Sequence, residues 1–309
     1  MELLWQLILL ALGFALLVKG ADFFVDGAAG VAERFGIPQL VIGMTIVAMG
    51  TSLPEASVSV TAAMRGSAAV AVGNIVGSNI LNILLILGVS AAIAPLAVAK
   101  STVRCELPFM LAVTLLLLYF GSSGGAIGWQ EGAVFWALFL LYLGYLFKMS
   151  AGGKQYSDAA AHIKPLWQLA LLIALGAALI LGGSRLAVTA AISMAQLLGL
   201  SERFIGLTIV ALGTSLPELA TSAAAAWKGK ADIAIGNVVG SNIFNILFVL
   251  GSAALLTPVP FESAFVFDSW TAIASAALLW LCVLRGRLER WGGVLLLAAY
   301  GAYFYWLLG

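Results

Sequence analysis

The sequence predicts an all-α integral membrane protein in which ten transmembrane helices form two inverted five-helix repeats. Composition is the first reason: of 309 residues, 62% are hydrophobic and 9% charged, with a mean hydropathy of +1.09. A soluble domain carries about a quarter charged residues, so this chain cannot cover a water-facing surface. The second reason is length, because the apolar residues fall into ten runs near the ~20 residues that cross a hydrocarbon core. The third is an internal repeat: Gly43–Gly88 returns without a gap, 163 residues later, as Gly206–Gly251, with 29 of 46 positions identical. Five helices per half is an odd number, so equivalent residues enter the membrane from opposite faces.

The first run predicts span 1 at 3–29. It begins Met-Glu, with no Lys or Arg ahead of the apolar stretch and no clear small-residue cleavage site, so it reads as a retained helix and not a signal peptide. Spans 2 and 3, at 38–64 and 69–93, hold the first copy of the repeat. Spans 4 and 5 follow at 105–121 and 129–149, completing a first unit over 1–149. The polar stretch 150–164, with Gly152, Gly153 and Lys154 marking a loop, reads as a cytoplasmic linker. The second unit, 165–309, repeats the layout with spans at 165–197, 202–227, 232–255, 263–284 and 289–308.

Basic residues set the expected orientation. Eleven of the fifteen (Arg34, Lys100, Arg104, Lys148, Lys154, Lys164, Lys228, Lys230, Arg285, Arg287 and Arg290) lie at one set of span ends, and only Arg65 and Arg203 at the other. Lys19 and Arg185 fall inside spans 1 and 6. The loops after odd-numbered spans are therefore expected in the cytoplasm, with both termini on the outer face of the cell's inner membrane. An even number of spans requires the termini to share a side. The net charge of +1 gives no reason to expect a nucleic-acid partner, and nothing implies an obligatory protein partner; the bilayer is the one extended surface the chain must meet.

The repeat places Glu55 and Glu218 inside apolar spans, where a carboxylate costs roughly 2.5–3.5 kcal/mol even on insertion scales and marks a functional site by default. Each closes a Gly-Thr-Ser-Leu-Pro-Glu run. Pro54 removes an N–H and clashes with the carbonyl of Gly50, and Pro217 does the same to Gly213, so the helix is expected to open around Thr51-Ser52 and Thr214-Ser215. Irregular backbone at membrane depth is tolerated only where it is buried or lines a wet cavity. The groups gathered there are hard oxygen ligands, suited to Ca²⁺, Na⁺ or Mg²⁺. The second block, Gly73-Asn-Ile-Val-Gly-Ser-Asn-Ile-Leu-Asn82 and Gly236-Asn-Val-Val-Gly-Ser-Asn-Ile-Phe-Asn245, puts Ser78 with Asn82, and Ser241 with Asn245, on one helix face. Asn74 and Asn237, one turn earlier, read as hydrogen-bond ties between helices.

These paired blocks resemble the two alpha repeats of the Ca²⁺/cation antiporter superfamily, and the chain is most similar to its prokaryotic Na⁺/Ca²⁺ exchangers. The motifs cover about 92 residues, and the ten-span layout extends the likeness to the whole chain. The resemblance implies the sodium/calcium exchanger fold and four adjoining cation sites between spans 2, 3, 7 and 8. It implies Glu55 and Glu218 as central bridging carboxylates, and Thr51, Thr214, Ser52 and Ser215 as ligands. Ala48 and Ala211 would offer backbone carbonyls, Ser78 and Ser241 outer ligands, and Asn82 a central amide. Asn245 stands where some relatives, potassium-dependent exchangers among them, carry Asp, which leaves two core carboxylates and argues against K⁺ dependence. The resemblance further implies that spans 1 and 6 slide as a pair across the other eight.

The expected activity is antiport of Ca²⁺ against Na⁺, both transported and neither a cofactor; no cofactor is expected. Ca²⁺/H⁺ exchange, with the glutamates carrying protons, is the alternative reading of the same residues. A passive cation channel fits less well, because inverted repeats favour alternating access. An intramembrane enzyme lacks a nucleophile–base pair or a metal–histidine set. Cys105 and Cys282 read as buried thiols, His162 as a solvated loop residue, and Asp22 and Asp26 as interfacial. Glu106, Asp232, Glu262, Asp268 and Glu289 read as helix-end anchors, and Arg65 and Lys228 as charges favouring helix dipoles.

Overall fold

A computed structural model of the chain describes residues 2–152, 164–198 and 211–308. Its helices are α1 (Glu2–Phe35), α2 (Gln39–Thr51), α3 (Leu53–Met64), α4 (Ala69–Ile93), α5 (Thr102–Gly124), α6 (Trp129–Gly152), α7 (Leu166–Leu197), α8 (Ala211–Thr214), α9 (Leu216–Trp227), α10 (Ala231–Leu256), α11 (Ser263–Val283) and α12 (Arg290–Leu308). Among the described residues, α1, α4, α5, α6, α7, α10 and α11 are long and apolar enough to cross a membrane, and α2 with α3 forms one broken span bent by 49°. The chain is therefore an all-helical membrane protein. His162, Lys154 and the first part of predicted span 7, including Arg203 and Gly206 to Val210, lie outside the described residues.

Helix ends among the described residues fall close to expectation except in spans 1, 4 and 5, and span 4 runs from Thr102 to Gly124, three residues longer at each end. Span 1 continues six residues further, to Phe35, where Gly36 turns the chain at φ 62. The helix before the linker runs on to Gly152, three residues into the stretch expected to be loop. Among the described residues, four π-helical segments were not expected: Gly43–Val47, Asn82–Ile86, Thr102–Glu106 and Asn245–Leu250. Such wide turns are frequent at functional sites, and two of these begin at the repeated Asn82 and Asn245.

The core sits around α4 and α10, the helices that carry the asparagine blocks. In their most apolar stretches 78% and 94% of residues are buried, against 33% and 22% in α1 and α7. Close packing there depends on missing side chains. A Cβ on Gly236 would stand 2.8 Å from the Leu40 carbonyl and 3.1 Å from the Gly43 Cα, so α2 and α10 cross in direct backbone contact. The α1–α7 pair is built the same way. A Cβ on Gly13 would meet Ala187 N at 2.7 Å, and one on Gly176 would meet Phe24 N at 2.6 Å.

Those last two contacts exchange under the 163-residue offset, since Gly13 corresponds to Gly176 and Phe24 to Ala187. The small strands at the helix ends show a similar exchange, with β2 and β4 offset by 161 residues: β1 (Leu96–Ala97) pairs with β4 (Arg287–Leu288), and β2 (Ala126–Ile127) with β3 (Val259–Pro260), both antiparallel. Each half thus supplies to the other what it receives from it.

Several expectations for isolated polar residues change. Glu106 is no helix-end anchor: it lies within the opening π-helical turn of α5, is buried, and accepts a hydrogen bond from the Tyr145 hydroxyl. Asp268 accepts one from Tyr303 at 3.0 Å. Cys105 is exposed and only Cys282 is buried. Lys228 does not simply cap a helix; it bridges to Asp22 at 3.2 Å and Asp26 at 2.8 Å, tying α9 to α1.

Candidate cation site

The site begins at two helix breaks. Pro54 and Pro217 stand at the second position of α3 and α9, and the residue just before each helix, Ser52 or Ser215, leaves helical geometry at φ −85, ψ 10 and φ −92, ψ 6. The break is therefore one residue wide, narrower than the Thr-Ser opening expected. Ser52 N still donates to the Ala48 carbonyl at 3.0 Å. Each break turns a hydroxyl towards the other half. Ser52 Oγ donates to Glu218 Oε1 at 2.8 Å, and Ser215 Oγ donates to Glu55 Oε1 at 3.2 Å. The two glutamates, each 1% exposed, are thus held by serines of the opposite repeat.

The asparagine blocks close the site in the same reciprocal manner. Asn79 Nδ2 donates to the Asn242 carbonyl at 3.2 Å and Asn242 Nδ2 to the Asn79 carbonyl at 3.3 Å. Asn82 Nδ2 donates to Asn242 Oδ1 at 2.9 Å, and Asn245 Nδ2 to Asn79 Oδ1 at 3.1 Å. Every amide N–H₂ group in this quartet is engaged, which orients the amides of Asn82 and Asn245 with their oxygens free. Asn74 and Asn237 behave as ties: Asn74 Nδ2 reaches Ser59 Oγ at 3.0 Å and the Glu55 carbonyl at 3.3 Å, and Asn237 Nδ2 reaches Ser222 Oγ at 2.9 Å and the Glu218 carbonyl at 3.4 Å. Each braces the first turn after a helix break.

Buried polar atoms are normally paired, so exceptions need a reason. Here Glu55 Oε2, Glu218 Oε2, Asn82 Oδ1, Asn245 Oδ1 and Thr214 Oγ1 are buried without a hydrogen-bond partner. Four of them are pure acceptors when the glutamates are ionised, and they come in repeat-related pairs. Among the described residues no Lys, Arg or His pairs with either glutamate. Nor is there a group of three His, Cys, Asp or Glu side chains able to hold a metal ion. Two carboxylates among hydroxyl, amide and carbonyl oxygens make a donor set for hard cations and not for zinc or copper.

The remaining expected residues take their places as follows. Thr51 Oγ1 lies 3.1 Å from both the Val47 carbonyl and Asn237 Oδ1. Ser241 Oγ lies 2.9 Å from Ser52 Oγ and 3.4 Å from the Ala48 carbonyl, so Ala48, Ser52, Ser241 and Glu218 form one contiguous group. Ser78 is buried on α4, one turn before Asn82. Ala211 opens α8, one turn before Ser215. Asn79 and Asn242, given no role from sequence, are the residues that reasoning missed. Their signal was present, because an asparagine was repeated three positions before each expected amide ligand.

A cavity of about 600 Å³ reaches the breaks from one face, between α3 and α7. Pro54, Ser57, Ser184, Arg185, Gly213 and Thr214 are among its lining residues. On the repeat-related face, between α9 and α1, Lys228, Asp22 and Asp26 are bridged instead.

A helical membrane protein with a buried, two-fold cluster of unpaired oxygens and an approach from one side belongs to the transporter class. Comparison with known proteins resolves which. The sodium/calcium exchanger protein family matches residues 5–148 and 168–309. The sodium/calcium exchanger MaX1 of Methanosarcina acetivorans is 32% identical over 96% of each chain, and the inner membrane protein YrbG of Escherichia coli K12 is 43% identical over 81% of this chain and 79% of its own. A solved structure of the sodium-calcium exchanger NCX_Mj superposes with a TM-score of 0.86 at 32% identity, covering 99% of both chains. The chain belongs to the sodium/calcium exchanger family, a family of membrane antiporters and not of enzymes.

Proposed function

We propose that this protein exchanges Ca²⁺ for Na⁺ across the inner membrane by alternating access, at a midplane site centred on Glu55 and Glu218. The observation that carries the reading is the set of buried acceptor oxygens on Glu55, Glu218, Asn82 and Asn245, unpaired and repeat-related. Two ionised carboxylates neutralise one Ca²⁺, and the neighbouring oxygens of Thr51, Ser52, Ser78, Ser241, Thr214, Ser215, Ala48 and Ala211 offer weaker places for Na⁺. The empty, doubly charged site is costly to carry through a low-dielectric barrier, whereas loaded states are closer to neutral. Exchange follows without leak.

In this reading the ten spans form two inverted repeats, 1–149 and 165–309, joined by a cytoplasmic linker over 150–164, with both termini outside. The difference between the two faces supports alternating access, since repeat-related elements part around a cavity on one face and close over a salt bridge on the other. Moving the glycine-packed α1–α7 pair across the rest would exchange those arrangements. Reconstituted protein is expected to accumulate Ca²⁺ in liposomes under an outward Na⁺ gradient. Uptake driven only by a pH gradient would replace Na⁺ with H⁺ as the coupling ion, and Ca²⁺ flux with no counter-ion would indicate a channel.

A further inference from the structure

The two approaches to the site are related by the repeat but carry opposite charge at their matched positions. The reciprocal glycine contacts of α1 and α7 establish the 163-residue register on these helices, and that register matches Asp22 with Arg185, Asp26 with Thr189, and Arg65 with Lys228. Arg185 lines the 600 Å³ cavity beside Pro54 and Thr214. An adjoining recess of about 440 Å³ shares Ser57 and Val58 with that cavity and carries Arg65. Two cations therefore border this route, and no described carboxylate pairs with either of them. Glu202 and Arg203 lie outside the described residues and add no net formal charge. On the other face the matching positions hold Asp22 and Asp26, with Lys228 between them, and Lys230 bridged to Glu33 at 3.5 Å. At the matched positions Asp22, Asp26 and Lys228 sum to −1, against +2 for Arg185, Thr189 and Arg65, while Lys164 joins Asp26, Glu33 and Lys230 around an adjoining recess.

We infer that Arg185, supported by Arg65, is a specificity-determining residue: its charge selects Na⁺ over Ca²⁺ for entry through the α3–α7 face. The physics lies in the valence. A positive potential at a narrow entrance depletes a cation by a Boltzmann factor whose exponent scales with its charge. A potential of one kT per unit charge lowers local Na⁺ about 2.7-fold but Ca²⁺ about 7-fold, and clefts commonly reach such potentials. Arg185 thus discourages Ca²⁺ capture and favours its release at this face. Across the molecule, separation of α1 from α9 would free Asp22 and Asp26 at positions matching the cavity wall, where they favour Ca²⁺ capture. The site at the centre is near-symmetric, so the direction of preference comes from its vestibules. This rests on the antiport reading above and adds to it a sidedness the central ligands do not contain.

The test uses the full chain in right-side-out and inside-out membrane vesicles, with half-saturating Ca²⁺ and Na⁺ measured at each face and ionic strength held constant with choline chloride. At low ionic strength, R185Q is expected to raise the apparent Na⁺ affinity about 2- to 3-fold and the Ca²⁺ affinity by the square of that factor, at the cavity face only. R65Q serves as the second, independent variant with the same squared relation, and R185K is expected to match the wild type. The gain should shrink near 0.15 M salt, where the Debye length falls to about 8 Å. Equal factors for the two ions, no change at either face, or an R185K phenotype like that of R185Q would overturn the inference while leaving Na⁺/Ca²⁺ exchange intact. Absence of Na⁺-dependent Ca²⁺ flux in the wild type would instead overturn the antiport reading, and this inference with it.

Discussion

Glu55 and Glu218 illustrate how a residue can be legible in a sequence while its neighbours are not. A charged group in an apolar span, repeated at a fixed offset, has few structural explanations, so both stood out as candidates before any fold. Asn79 and Asn242 had the same repetition, yet their backbone-to-amide bonds cross between helices 163 residues apart, and no local pattern encodes such a pairing. Glu55→Gln and Glu218→Gln are each expected to weaken Ca²⁺ binding about 100-fold, because affinity at oxygen sites follows ligand charge; isothermal titration in detergent measures this, and an unchanged affinity in either variant would remove that glutamate from the site. Asn79→Ala leaves the Asn245 amide unpaired in a buried place, which costs about 1–3 kcal/mol. A fall in melting temperature together with weaker Ca²⁺ binding is the expected result. Wild-type melting temperature with wild-type affinity would mean that the quartet does not orient the amides.

Helices show a different balance. The ends of most described helices followed from apolar run length and from glycine and proline, because those features act locally. The proline break was anticipated, but its one-residue width and the π-helical turns at Asn82 and Asn245 were not, since both depend on how a helix accommodates its neighbours. The α1–α7 pair depends on glycine in the same tertiary way. Gly176→Val places a side chain against the Phe24 backbone, and overpacking of this kind costs typically about 1–3 kcal/mol. Lower thermal stability and slowed exchange should accompany it, and a variant as stable and active as wild type would show that the pair need not pack so closely. The bridge from Lys228 to Asp22 and Asp26 holds α9 against α1. In Lys228→Ala, a cysteine at the buried position Thr221, which matches cavity-lining Val58, should react faster with a membrane-impermeant maleimide added from the Lys228 face. Equal rates with and without Lys228 would exclude the bridge as a closing contact.

For the whole molecule, binding at a site assembled from both halves should stabilise the entire fold. Ca²⁺ at 100 times its dissociation constant adds about 2.7 kcal/mol to a state that binds it when the unfolded chain does not. A rise in melting temperature with Ca²⁺ is expected for the wild type and should be lost in Glu55→Gln. A rise of equal size in that variant would place the stabilising Ca²⁺ elsewhere. The stabilisation should be shared between halves, because each glutamate takes its hydroxyl donor from the opposite repeat.

Composition, apolar run length and the 163-residue repeat were enough by themselves to determine a helical membrane protein and to mark two repeated blocks, each with a glutamate in an apolar run. Those properties depend on transfer free energy and local backbone chemistry, both written into consecutive residues. Only the tertiary structure decided that Ser52 and Ser215 cross over to the opposite glutamate, that the asparagine quartet leaves two amide oxygens unpaired, and that Glu106 is buried rather than an interfacial anchor. It also decided that one face is open beside Arg185 while the other is bridged by Lys228. Two halves so alike in sequence can still meet unequally, because packing one pair of helices closed on one face parts the equivalent pair on the other.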